Sequence, residues 1–153
     1  MTLKKIIIST TVITFGLLAI NATRKGEPKD ALDKRIFTVT MSEVKEGAAP
    51  KKGVEDEIEF KGGKMLSMFL FEKFEYKWTK YEIITDSTYT DEEQNEIHML
   101  VAEASSTDDK DQTMTMTCTV EDTDITGVVK ITKKDKLKKK FNFVGLEKIK
   151  KKK

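Results

Sequence analysis

Six aromatic side chains crowd one short stretch of this chain: Phe69, Phe71, Phe74, Tyr76, Trp78 and Tyr81. Rings at that density line pockets that hold apolar small molecules, and such pockets often open at the mouth of a β-barrel. The same rings can instead seal the end of a hydrophobic core as a packed cap. On the binding reading these six are the candidate ligand-binding residues, and a small apolar molecule is the expected partner.

Other chemistry finds less support. A serine or cysteine nucleophile needs an activating base. The only histidine, His98, falls in the middle of a strand pattern and reads as a packed or surface residue. Cys118, the only cysteine, lies on an apolar strand face and reads as a small buried hydrophobe. No GxSxG, HExxH or glycine-rich phosphate loop occurs. Glu55, Glu57 and Glu59 alternate along a strand, which describes a solvated face better than the facing carboxylates of a glycosidase. Asp91, Glu92 and Glu93 share one loop and Asp108, Asp109 and Asp111 another, without the spacing of a calcium loop. One histidine and one cysteine are too few for a transition-metal site. The chain is therefore expected to be non-catalytic, with no metal and no cofactor. Lys133, Lys134, Lys136 and Lys138–Lys140 run into Phe141 and Phe143, which look like core, so nucleic acid is not an expected partner.

The elements that would position the aromatics are strands. Met114, Met116, Cys118 and Val120 alternate with Thr113, Thr115, Thr117 and Thr119, the period of two that puts an apolar and a hydroxyl face on one strand. After a polar turn, Ile125, Gly127, Val129 and Ile131 resume the alternation, and Phe141-Asn142-Phe143 begins a third run beyond Lys133–Lys136. Further strands are predicted at Ile36–Val44, Glu55–Phe60, Met65–Leu70, Tyr81–Ser87 and Glu96–Ala104, with a hairpin turn at Gly62-Gly63. The spacing of Phe71, Phe74, Trp78 and Tyr81 matches one helix face, whereas Phe74, Tyr76 and Trp78 match one strand face. A short helix or aromatic loop capping one end of the sheet is the preferred reading. Eight strands at hairpin spacing predict an all-β antiparallel up-and-down barrel or half-barrel, with a two-sheet sandwich as the alternative. Closure would remove edges open to other chains.

The first residues speak to compartment. Lys4 and Lys5 precede an uncharged, largely apolar run over Ile6–Ile20, and Asn21-Ala22-Thr23 leads into a charged stretch. This is the order of a secretory signal, with cleavage expected after Ala22, and the run is short for a membrane span. The expected layout is a signal peptide over 1–22, a flexible lead-in over 23–34, one β domain over 35–147 and a disordered basic tail over 148–153. No stable membrane anchor is expected after cleavage, and the location is periplasmic or extracellular. Loss of Lys4 and Lys5 leaves acids and bases in balance, but not in place. Glu82 to Asp124 holds thirteen acids and a single lysine, whereas Lys130 to Lys153 holds twelve lysines and two acids. Such segregation lets the two segments attract one another within the fold or between copies.

The closing pattern Thr119-Val120, Asp124-Ile125-x-Gly127 and Phe141-x-Phe143-x-Gly145 resembles the last three strands of small exported lipocalin-like (calycin) β-barrel proteins, a group known mostly from bacterial sequences. The Gly-x-Trp that opens true lipocalins is absent, and Trp78 sits elsewhere. The resemblance implies a barrel with an apolar interior and strands that bend or pass closely at Gly127 and Gly145. It implies a small exported binding protein as the function. A structural or protein-interaction module of the cell envelope without a ligand is the alternative, and an enzyme stands third.

Overall fold

Side-chain alternation decides the architecture. A computed structural model of the chain describes residues 30–150. The expected signal peptide, most of the lead-in and residues 151–153 lie outside the described residues. Eight antiparallel strands follow in order: β1 (Ile36–Glu43), β2 (Val54–Lys61), β3 (Lys64–Ser67), β4 (Thr79–Thr90), β5 (Glu96–Thr107), β6 (Gln112–Glu121), β7 (Asp124–Lys133) and β8 (Lys136–Glu147), with one helix, α1 (Met68–Phe74), between β3 and β4. Each strand pairs with its sequence neighbour, and β1 closes on β8, so the sheet is a closed up-and-down barrel. The half-barrel and sandwich alternatives do not apply.

The interior is built from the alternating set. Met114, Met116, Cys118 and Val120 of β6 are buried, as are Ile125, Val129 and Ile131 of β7 and Phe141 and Phe143 of β8. Phe37, Val39 and Met41 of β1, Ile58 and Phe60 of β2 and Leu100, Ala102 and Ala104 of β5 complete a continuous core. Large and small side chains face one another around the ring. Phe143 pairs with Gly127, and Gly127 with Cys118, so the ring occupies the space that a side chain at 127 would need. A Cβ on Gly127 would overlap the Phe143 ring and stand 2.6 Å from the Thr117 carbonyl oxygen. Gly145 is tighter: a Cβ there would overlap the Thr38 carbonyl oxygen and stand 2.6 Å from Val39 Cα. Both glycines are thus places of close strand passage.

Each end of the barrel is stoppered. At one end α1 starts earlier than the expected third strand allows, because Ser67 and Asp56 cap it. Ser67 Oγ accepts from the Leu70 N–H at 3.1 Å, and Asp56 accepts from the Phe69 N–H at 2.8 Å and the Ser67 hydroxyl at 2.6 Å. Met65–Leu70 therefore does not remain extended, and β3 ends at Ser67. At the other end the 30–34 turn packs beneath the barrel with Leu32 fully buried. Its Lys34 N–H donates to the Phe60 carbonyl at 2.8 Å, Asp33 accepts from the Gly62 N–H at 2.8 Å, and Asp30 accepts from the Tyr81 hydroxyl. This part of the expected flexible lead-in is a plug. The Arg35 guanidinium beside it binds Glu147 at 2.7 and 3.0 Å and lies 5.1 Å over the Phe37 ring. The chain remains attached past β8 as well: the Lys148 N–H donates to the Ile36 carbonyl at 2.7 Å, and its ammonium pairs with Glu57 at 3.0 Å.

Cys118 reports on this closure. It is 2% exposed, and burial pushes its thiol up to about 12, so thiolate is scarce at neutral pH. A thiol reagent is expected to label the native chain at a rate set by barrel opening, at least about 100-fold below the rate in denaturant. Fast labelling of folded protein, followed by absorbance, would mean that the interior is open to solvent.

Candidate functional site

The six aromatics do not form one site. Phe69 and Phe74 lie at the helix-capped end, with Phe69 edge-on to Phe141 at 5.3 Å and Phe74 edge-on to it at 5.9 Å. Tyr81 belongs to the opposite end, edge-on to Phe60 at 5.1 Å, and Phe60 is in turn edge-on to Phe37. Tyr76 is buried, and its hydroxyl donates to the Gln112 carbonyl at 3.2 Å, tying the segment after α1 to β6. Phe71 and Trp78 are exposed. The expected helical face of Phe71, Phe74, Trp78 and Tyr81 is thus not the buried one. Because the cap at Ser67 sets the phase, α1 turns Leu70 into the core, with Phe69 and Phe74 against it. Tyr81 is a strand residue.

Two of the six, Phe74 and Tyr76, border a cavity of about 330 Å³ at the rim of the helix-capped end. Its other walls are polar: Glu75, Lys77 and the β5–β6 turn from Ser106 to Lys110. An apolar ligand would find two rings there and charged groups on the remaining sides.

The remaining chemical candidates are accounted for by structure. His98 Nε2 lies 2.6 Å from Asp86 Oδ1 on the exposed β4–β5 hairpin, away from Cys118 inside the barrel. The loop acids hold turns. Asp91 accepts from the Asn95 side-chain amide and from the Asn95 and Glu93 N–H groups, and Asp108 accepts from the Gln112 and Lys110 N–H groups, bonds that hold both carboxyls below the usual carboxylate range. Asp56 is different: desolvation raises its carboxyl, against the pull of the donors that it accepts from. Glu43 bridges Lys139 at 2.7 Å and Lys51 at 3.0 Å, and those ammonium groups bring its carboxyl down to about 2. It staples the 44–53 loop to β8. Among the described residues no cluster of three or more metal-ligating side chains is present.

What sequence reasoning missed lies outside the barrel. Strand register places Val101, Thr119, Thr126, Val144 and Thr40 in one outward row across β5, β6, β7, β8 and β1. Thr117, Val128, Asn142 and Ser42 make the adjoining row. Leu146 extends the patch, and Val144 and Leu146 are 60% and 61% exposed. On β6, β7, β8 and β1 these rows hold no charged side chain, in a chain that is 35% charged, and on β5 the second row ends at Glu103, opposite Thr117. A shallow groove bounded by Thr117, Thr119, Thr126, Val128 and Asn142 runs over Gly127. Thr113–Thr119 already showed one uncharged outward strand, and Val128, Val144 and Leu146 were visible as apolar residues out of phase with the core. The signal was the second face of strands read only for their first.

No helix among the described residues is long and apolar enough to cross a membrane, a statement that does not bear on β-barrels. Comparison with protein-family models, with curated proteins and with solved structures gives no match.

Proposed function

We propose that this chain is a non-catalytic, exported β-barrel module that acts by contact through its outer surface rather than by carrying a molecule within the barrel. The observation that carries the reading is the filled interior. Met114, Met116, Val129, Ile131, Phe141 and Phe143 belong to one core cluster at 4% exposure or less, and α1 and the 30–34 turn stopper the barrel's ends. An eight-stranded barrel is just wide enough for side chains to fill it. The lipocalin-like likeness is kept as a proposal for architecture and origin, and export rests on the order of residues 1–23. A second reading, binding of a small apolar molecule, is favoured by one feature: Phe74 and Tyr76 at the rim cavity.

Native mass spectrometry of the protein purified from the envelope or medium of its own host, beside its denatured mass, separates these readings. The expected result is protein that begins at Thr23 and carries no small-molecule adduct. A reproducible adduct lost on denaturation would replace surface contact with ligand carriage. A denatured mass that retains residues 1–22 would overturn cleavage after Ala22.

A further inference from the structure

The uncharged outer face is bordered by two like-charge pairs. Lys130 and Lys140 stand directly opposite one another on β7 and β8 at one border, and Glu121 and Asp124 on β6 and β7 at the other. Like charges directly opposed across a sheet are destabilising. Among the described residues none of the four makes an ion pair, and the partner of Glu121 is the neutral Tyr89 hydroxyl at 3.0 Å. Along β7 the outward side chains run Asp124, Thr126, Val128, Lys130. Read backwards, the same run exchanges acid for base and keeps an uncharged centre.

We propose that this face docks on the same face of a second copy, with the two β7 strands antiparallel about a two-fold axis near Gly127. This rests on the surface-contact reading above and names its partner. A two-fold interface brings each patch against itself, so the patch must be self-complementary. The antiparallel arrangement sets Asp124 against Lys130 of the second copy, and Lys130 against its Asp124. Thr126 meets Val128 at the centre. The parallel arrangement would set acid on acid and lysine on lysine, so charge selects one of the two orientations. Exposed Val144 and Leu146 add apolar area beside the axis. One member of each like-charge pair, Asp124 or Lys130, thereby gains a directly facing opposite charge; on the single barrel Glu103 shares a groove with Lys130 and Lys140 but makes an ion pair with neither.

The test is charge reversal in the full chain, read by sedimentation and by native mass spectrometry. Wild type is expected to be a dimer at tens of micromolar. Asp124→Lys and Lys130→Asp each place like charges in the interface twice, by symmetry, and are expected to weaken association at least roughly 100-fold. The double reversal, Asp124→Lys with Lys130→Asp, is expected to restore the dimer. Protection of Cys118 from thiol labelling checks that each variant retains its barrel. A wild-type monomer would overturn the proposal, and so would a dimer that both single reversals leave intact or one that the double reversal fails to restore. A bare monomer ends the dimer and leaves surface contact with another partner standing. A small-molecule adduct would end the surface-contact reading itself.

Discussion

Gly145→Ala is expected to lower stability by roughly 3 kcal/mol, at the top of the range for overpacking a core. A methyl group here meets main chain: the Thr38 carbonyl oxygen and Val39 Cα. No rotamer change relieves such an overlap, so β1 must move off β8. That pairing is the seam between the first and last strands, and the barrel is closed only while it holds. Opening it also exposes two strand edges to other chains, so increased aggregation should accompany the loss. Gly53 supplies the control. A Cβ there meets the ends of the Thr40 and Ser42 side chains, which can turn aside. Alanine also reduces the freedom of the unfolded chain, which offsets part of any strain. Gly53→Ala should therefore cost less than about 1 kcal/mol. Urea denaturation measures both, and equal losses would refute close backbone passage as the reason for glycine at 145.

Phe141→Ala is expected to cost about 3–5 kcal/mol, the usual price of removing a buried phenyl ring. Phe141 is 4% exposed and holds Phe69 and Phe74 edge-on, so its loss leaves a cavity and detaches α1 from the barrel end. The thermal midpoint should fall by roughly 10–20 °C. Trp78→Ala is the informative comparison, because by sequence Trp78 stood among the six candidate residues. At 39% exposure, outside both aromatic clusters, it should cost less than about 1 kcal/mol. A melting point for Trp78→Ala as low as that of Phe141→Ala would place Trp78 in the packing of the helix-capped end after all.

Strand content was legible because it is a local property. The alternation over Met114–Val120 needs only its own residues to define two faces, and β6 and β7 lie where that pattern and its polar turns place them, whereas β8 starts at Lys136, ahead of the run expected from Phe141. The Gly62-Gly63 turn has positive φ at both positions, as a two-residue hairpin requires. Boundaries shifted where a partner distant in sequence intervened. The apolar run from Met65 to Leu70 reads as strand, yet Asp56, on the neighbouring strand, caps the backbone at Phe69 and helix begins at Met68. β5 extends past Ala104 to Thr107 because pairing with β6 continues, ending in a hydroxyl pair of Thr107 and Thr113 at 2.9 Å.

By itself, then, the sequence determined the all-β class, the number of strands, the hairpin order and, on β6 and β7, which side chains face inward. Period-two alternation and turn chemistry encode all of these within a few residues. Only the tertiary structure decided that β1 closes on β8, that the six aromatics divide between opposite ends, and that Leu32 of the lead-in belongs to the core. It alone assembled Thr40, Thr119, Thr126 and Val144 into one uncharged face with lysines at one border and acids at the other. The reason is register. A residue's own strand sets which face it takes, but its neighbours on that face are set by pairing between strands that lie far apart in the chain.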